Sequence, residues 1–195
     1  MRITNLTAGY GKKIIINKFS LEVNAGDRII IAGPNGCGKT TLLKCILGIV
    51  KPVSGTISLE KDETIAYCKQ DFPNSSFPIT VNEVVEMGIK GHKNKELIES
   101  ALKKTGVYEL RDRLFYSLSN GERQKVSLAR CYCQNAKLLL LDEPSSFLDK
   151  KNKAIFIEQM KALEKEPFAI IAVTHDDEII KNLNWKTVRG DEWNV

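Results

Sequence analysis

The chain has 195 residues, 43% of them hydrophobic and 27% charged, enough to bury one sizeable core and too few for a second full domain. Apolar runs such as 138–141 and 170–173 fall far short of the roughly 20 residues that span a bilayer, and the first residues lack the apolar core of a secretory signal, so a cytosolic protein is expected. The formal charge of +5 rests on scattered pairs (Lys12 with Lys13, Lys103 with Lys104, Lys150 with Lys151) without interleaved aromatics, which reads as solvated faces compatible with anionic lipid and not as a nucleic-acid stripe.

In chain order, Ile14, Ile16, Phe19, Leu21 and Val23 mark strands with one buried face, running into a turn over 24–27; an antiparallel flank is expected. Residues 28–32 form a short apolar strand that delivers the chain to Gly33, Pro34, Asn35, Gly36, Cys37, Gly38, Lys39 and Thr40. This is the phosphate-loop spacing of glycine, four residues, glycine, lysine and a hydroxyl residue, set between a strand and a helix. The glycines let backbone amides turn inward around a triphosphate. The helix expected from Thr40 and Thr41 to Leu47, stopped by Gly48, points its positive end at the same phosphates. Lys39 adds a full charge, and Thr40 offers its hydroxyl to the magnesium ion that accompanies the nucleotide. Cys37, beside that helix end and Lys39, is expected to have thiolate character and to react with alkylating reagents unless Mg-ATP covers it.

Short strands follow at 55–59 and 64–68, after which, near Gln70, the pattern turns helical. Thr80 and Glu83 form a capping box opening one helix; Leu97, Ile98, Ala101 and Leu102 stripe another that stops at Gly106. A helical insert over about 71–117 is expected within a single domain, 1–195. Residues 138–141 are continuously apolar, as in a buried parallel strand, and 168–173 repeat that pattern after a helix carrying Ile155, Phe156, Met160 and Leu163. The fold class is therefore α/β, a phosphate-loop core with a mostly parallel sheet, an antiparallel β flank and a helical insert. Five cysteines, an odd number with no Cys-x-x-Cys pair, argue against a disulfide framework or a zinc site, and reduced thiols are expected.

Asp142 and Glu143 stand at the end of the 138–141 strand, where α/β sheets place ligands. Asp142 is placed to hold magnesium, and Glu143 to orient and deprotonate an attacking water. Leu118, Ser119, Asn120, Gly121 and Glu122 precede a helix that passes Ala129 and Arg130. Ser119 and Glu122 alone make a capping box, an ordinary helix start.

Their position just before the acidic strand, together with the phosphate loop, resembles the ATP-binding cassette family, whose signature reads Leu-Ser-Gly-Gly-Gln. Here Asn120 stands for a glycine and Glu122 for the glutamine, and weaker signature affinity is expected. The resemblance covers essentially the whole chain. It implies that Tyr10 stacks on adenine, that Gln70 senses magnesium and links to the insert, and that His175 contacts the γ-phosphate. Ser146, Phe147, Leu148 and Asp149 match the loop that crosses between subunits, with Phe147 where alanine is usual.

One phosphate loop and one signature per chain imply a dimer, a homodimer first, in which Ser119, Asn120, Gly121, Glu122 and Asp149 of one chain cap ATP held by the other. The resemblance further implies an ATPase on the cytoplasmic face of the membrane, powering separate transmembrane permease subunits, with no nucleic acid as partner. Residues 76–88 resemble the same stretch in cassette ATPases of zinc, manganese and iron-chelate importers. The alternative is a soluble cassette ATPase that remodels a cytosolic complex such as the iron–sulfur assembly machinery. A plain phosphate-loop kinase is disfavoured by the signature and Glu143, and the span between Gln70 and Leu118 is too short for long coiled coils. With a short stretch after His175, no C-terminal regulatory domain is expected.

Overall fold

A computed structural model describes residues 1–60, 64–69, 77–89, 91–146 and 148–193. Among them, strands form two sheets. Strands β1 (Arg2–Tyr10), β2 (Lys13–Glu22) and β4 (Ser54–Ser58) make an antiparallel sheet with β1 central. Strands β3 (Arg28–Ala32), β5 (Ile65–Cys68), β6 (Leu138–Asp142), β7 (Ala169–Thr174) and β8 (Lys186–Arg189) make a parallel sheet in the order β5, β6, β7, β3, β8. The α/β class with its antiparallel flank is thus present. The elements β1, β8 and the short helix α6 (Asp177–Leu183) were not read from the sequence.

Parallel strands buried on both faces need apolar side chains at every position, which is what 138–141 and 170–173 supply. The two faces split residue by residue. Ile29, Ile31, Leu138, Leu140, Ile171 and Val173 pack towards β1, β2 and helix α1 (Lys39–Ile46). Ile30, Leu139, Leu141, Ile170 and Ala172 pack towards helices α4 (Asn120–Cys133), α5 (Lys150–Ala162) and α6. Each fully buried leucine or isoleucine contributes about 1.5–3 kcal/mol relative to an exposed one, so this register is strongly selected.

Helices α2 (Val81–Glu86) and α3 (Lys95–Lys104) make a third cluster. Thr80 caps α2 with Glu83 in the expected box, and Gly106 follows the last turn of α3 in a left-handed conformation. Val81, Val85, Ile98 and Leu102 pack on Val126, Ala129 and Cys133 of α4, so the helical layer shares α4 with the sheet, past residue 117. Leu128 and Cys131, on the other side of α4, belong to the sheet core.

Arg28 opens β3 and ties three chain segments together. Its guanidinium donates to the carbonyls of Phe168 (2.5 Å), Leu163 (2.6 Å) and Glu166 (2.7 Å), and to those of Gly26 and Asp27. Arg28→Met keeps the stem and strands these acceptors. The expected cost is about 2–4 kcal/mol, or a melting midpoint lower by roughly 5–15 °C, read by calorimetry; a fall of under about 2 °C would refute this anchoring.

Candidate active site

The register of three strands builds the site. Ala32 pairs with Thr174 and Asp142 with Val173, so β3, β7 and β6 end level with one another. The next residues are Gly33, His175 and Glu143. The ladder runs one step further, with Gly33 N donating to Thr174 O at 3.3 Å and Glu143 N to Val173 O at 3.0 Å. Around these ends lies a cleft of about 670 Å³ lined by Ile15, Asn35, Gly36, Gly38, Lys39, Thr40, Thr41, Glu143, Ser146 and His175. That size suits a nucleotide-scale ligand.

Gly38 caps α1 at φ 104°, a left-handed conformation that a side chain would strain. The helix N-terminus and the loop amides therefore face the cleft as a partial positive charge. Lys39 is only 5% exposed. Its ammonium donates to the carbonyls of Gly33 (2.7 Å) and Pro34 (3.0 Å) and lies 3.2 Å from Glu143 Oε1. A buried ammonium needs such company, and a phosphate would offer a stronger partner than two carbonyls.

Glu143 holds φ 47°, a strained value for a residue with a side chain, costing about 1–3 kcal/mol. The kink turns its carboxylate off the strand into the cleft. Oε2 meets His175 Nδ1 at 2.9 Å. Oε1 is buried against the Lys39 ammonium without a directed hydrogen bond among the described residues, and it can accept a proton from a water in the cleft once that ion pair opens. Beside it, Thr40 Oγ1 donates to Asp142 Oδ1 at 3.1 Å, and Tyr67 OH donates to Asp142 Oδ2 at 2.8 Å. A hydroxyl next to a carboxylate is a hard-oxygen pair suited to Mg²⁺.

The remaining expected residues lie apart from this cluster. Tyr10 stands half-exposed at the end of β1 and does not line the cleft, whereas Ile15 does. Ser119 and Glu122 cap α4: Ser119 Oγ donates to Glu122 Oε2 at 2.8 Å and accepts from Glu122 N at 3.4 Å. The side-chain and backbone hydrogen bonds of Ser119 hold the Glu122 carboxyl below its ordinary value of 4.5, so it is charged at neutral pH. Asp149 caps α5, accepting from Asn152 N at 2.8 Å. Gln70 and Phe147 lie outside the described residues.

Three groups escaped the sequence reading. Tyr67 reaches Asp142 from the neighbouring strand. Asp176, next to His175, accepts from Ser145 Oγ at 3.2 Å and pairs with Lys153 at 2.6 Å, bracing the strap after Glu143 against α5. Trp193 donates to the phosphate loop at Cys37 O. No local motif marks any of them.

The chain is similar to known proteins over most of its length. The family model for ABC transporter matches residues 16–146. The ATP-binding protein ZnuC of the high-affinity zinc uptake system of Bacillus subtilis (strain 168) is 34% identical over 205 residues, covering 96% of this chain and 89% of that one. An iron chelatin transport ATP-binding protein of Helicobacter pylori is 36% identical over 202 residues, covering 92% and 79%. An inward-facing ABC transporter structure of the metal-chelate type is 30% identical, covers 96% and 77%, and superimposes with a TM-score of 0.85. The chain belongs to the ABC transporter family and is its ATP-hydrolysing, nucleotide-binding subunit.

Cys37 departs from expectation. It is buried at 4% exposure, with Sγ packed between Gly33 and Gly190 and turned away from the cleft. The side chain points behind the loop, away from the face where a ligand would cover it. Alkylation of the native protein at Cys37 is therefore expected to be slow with or without nucleotide, as followed by mass spectrometry; rapid labelling that Mg-ATP suppresses would contradict this placement.

Proposed function

We propose that this chain powers the import of metal ions or metal chelates, hydrolysing ATP between two copies of itself on the cytoplasmic side of a membrane permease. The observation that carries the reading is the convergence of Lys39, Glu143 and His175 with the Thr40–Asp142 pair at three level strand ends. The cargo class is supported by the zinc and iron-chelatin relatives.

In this reading the amides and side chains of Gly33, Pro34, Asn35, Gly36, Cys37, Gly38, Lys39, Thr40 and Thr41 enclose the phosphates, with Cys37 contributing backbone only. Phosphate draws Lys39 off the Gly33 and Pro34 carbonyls and releases Glu143. Glu143 then takes the proton of the attacking water, held in orientation by His175, which also reaches the γ-phosphate. Thr40 and Asp142 would hold Mg²⁺, with Gln70 as a further ligand; the ion supplies neutralisation of phosphate charge. Tyr10, exposed, stacks on adenine. Ser119, Asn120, Gly121, Glu122 and Asp149 face the second copy's ATP, and for this Ser119 exchanges its bond to Glu122 for one to phosphate. A carboxylate at 122, instead of an amide, opposes that exchange by charge.

The whole chain acts as one cassette domain whose helical insert, about 71–117, meets the permease. Phe77 and Met87, each 67% exposed, border a groove with Pro78, Ile79, Glu83 and Glu86. Two large apolar side chains left in water beside acidic ones fit a partner helix. Among the described residues no helix is long and apolar enough to cross a membrane, which is consistent with peripheral attachment.

Glu143→Gln tests the reading. The amide keeps the shape but cannot accept the proton, so turnover should fall about 10²- to 10⁴-fold while ATP affinity stays within a few-fold. Near-normal turnover in this variant would remove Glu143 from its role. The wild-type chain from native membranes should leave with detergent together with a polytopic partner.

A further inference from the structure

The segment after β8 passes behind the phosphate loop. Trp193 there is buried, its ring meets Phe19 edge-on with centroids 4.6 Å apart, and its carbonyl accepts from Asn17 N at 3.0 Å. Its indole Nε1 donates to the carbonyl oxygen of Cys37 at 2.9 Å. Gly190 seats the segment: its N donates to Ala32 O at 2.6 Å, at the end of β3, and a Cβ on it would stand 3.0 Å from both Cys37 Sγ and Trp193 Cζ2. The underside of the loop is thus closed by one buried ring and one residue whose side chain would have to push aside the Cys37 sulfur or that ring.

The C=O of residue 37 and the N–H of residue 38 belong to one trans peptide plane and point in opposite directions. A carbonyl anchored on the indole side leaves the Gly38 N–H facing the other way, towards the cleft that Gly36, Gly38, Lys39 and Thr40 line. We propose that Trp193 is a positioning residue for phosphate binding, its indole N–H fixing the 37–38 peptide so that the Gly38 amide is presented to the nucleotide phosphates. Glycine at 36 and 38 leaves the loop little resistance of its own to rotation of that plane. Loss of the donor removes a buried restraint on that plane, and the amide must be re-ordered more extensively each time phosphate binds. Trp193 does not touch the ligand; it acts through the backbone. The inference rests on reading the loop as the ATP phosphate site.

The test is Trp193→Phe in the full chain, with dissociation constants measured for ADP and for adenosine. Phenylalanine keeps a ring beside Phe19 and loses the donor. ADP binding should weaken about 5- to 20-fold, adenosine binding should stay within about twofold, and the unliganded melting midpoint should fall by only a few degrees. Phe19→Leu, which removes the ring partner and keeps the donor, should lower stability while leaving the ratio of ADP to adenosine affinity unchanged. ADP affinity within about twofold of wild type in Trp193→Phe, or equal weakening of ADP and adenosine, overturns the inference. A wild-type chain that does not bind ADP overturns the ATP-site reading instead. Should Trp193→Phe fail to fold, β-(3-benzothienyl)alanine at position 193 keeps the bicyclic shape with sulfur in place of N–H; the same ADP-selective loss is expected, and wild-type ADP affinity refutes the role.

Discussion

Everything at the site depends on the parallel register that brings β3, β7 and β6 to the same level. Ala32 opposite Thr174 and Val173 opposite Asp142 place the phosphate loop, His175 and Glu143 one residue past three adjacent strand ends. A slip of one residue would exchange the two faces of a strand and send its apolar side chains to the wrong core. The site is held in place by the hydrophobic packing of the strands that lead directly into it. Isoleucines and leucines along the strands thus control where a lysine and a glutamate meet.

The second constraint is charge without water. Lys39 and Glu143 are both buried, and each limits what the other can do. Lys39 is satisfied by two loop carbonyls and one carboxylate oxygen, an arrangement that phosphate can replace with stronger bonds. Asp142 is held from two sides by Thr40 and Tyr67, which leaves a carboxylate of fixed orientation beside a hydroxyl. The Asp176 bridge to Lys153 and Ser145 joins the strand end that carries His175 to helix α5, whose first turn Asp149 caps. Movement of α5 is therefore mechanically connected to His175.

Much of this was legible in the sequence because it is written locally. The phosphate loop, the continuous apolar strand 138–141 with its two carboxylates, and the capping boxes at Thr80 and Ser119 are each contained within a few residues. What was missed lies across long stretches of chain. Tyr67 and Asp142 are 75 residues apart, and Trp193 and Cys37 are 156 apart. The alternation of β1 is interrupted by register irregularities against both neighbours, which hides its period. Cys37 shows the same limit in small: its neighbours in sequence are visible in the motif, but the burial of its side chain between Gly33 and Gly190 is not.

The ATP site we propose is shared between two copies, with Lys39 from one and Ser119 from the other. The most direct measurement is ATP occlusion by a mixture of two variants, Lys39→Ala and Ser119→Arg, each also carrying Glu143→Gln so that closed dimers accumulate. Each variant alone spoils both of its sites and should occlude nothing. In a mixed dimer one site inherits both lesions while the other pairs an intact Lys39 with an intact Ser119, so occlusion should return on mixing. Folded variants that form mixed dimers and still occlude no ATP would contradict the shared site.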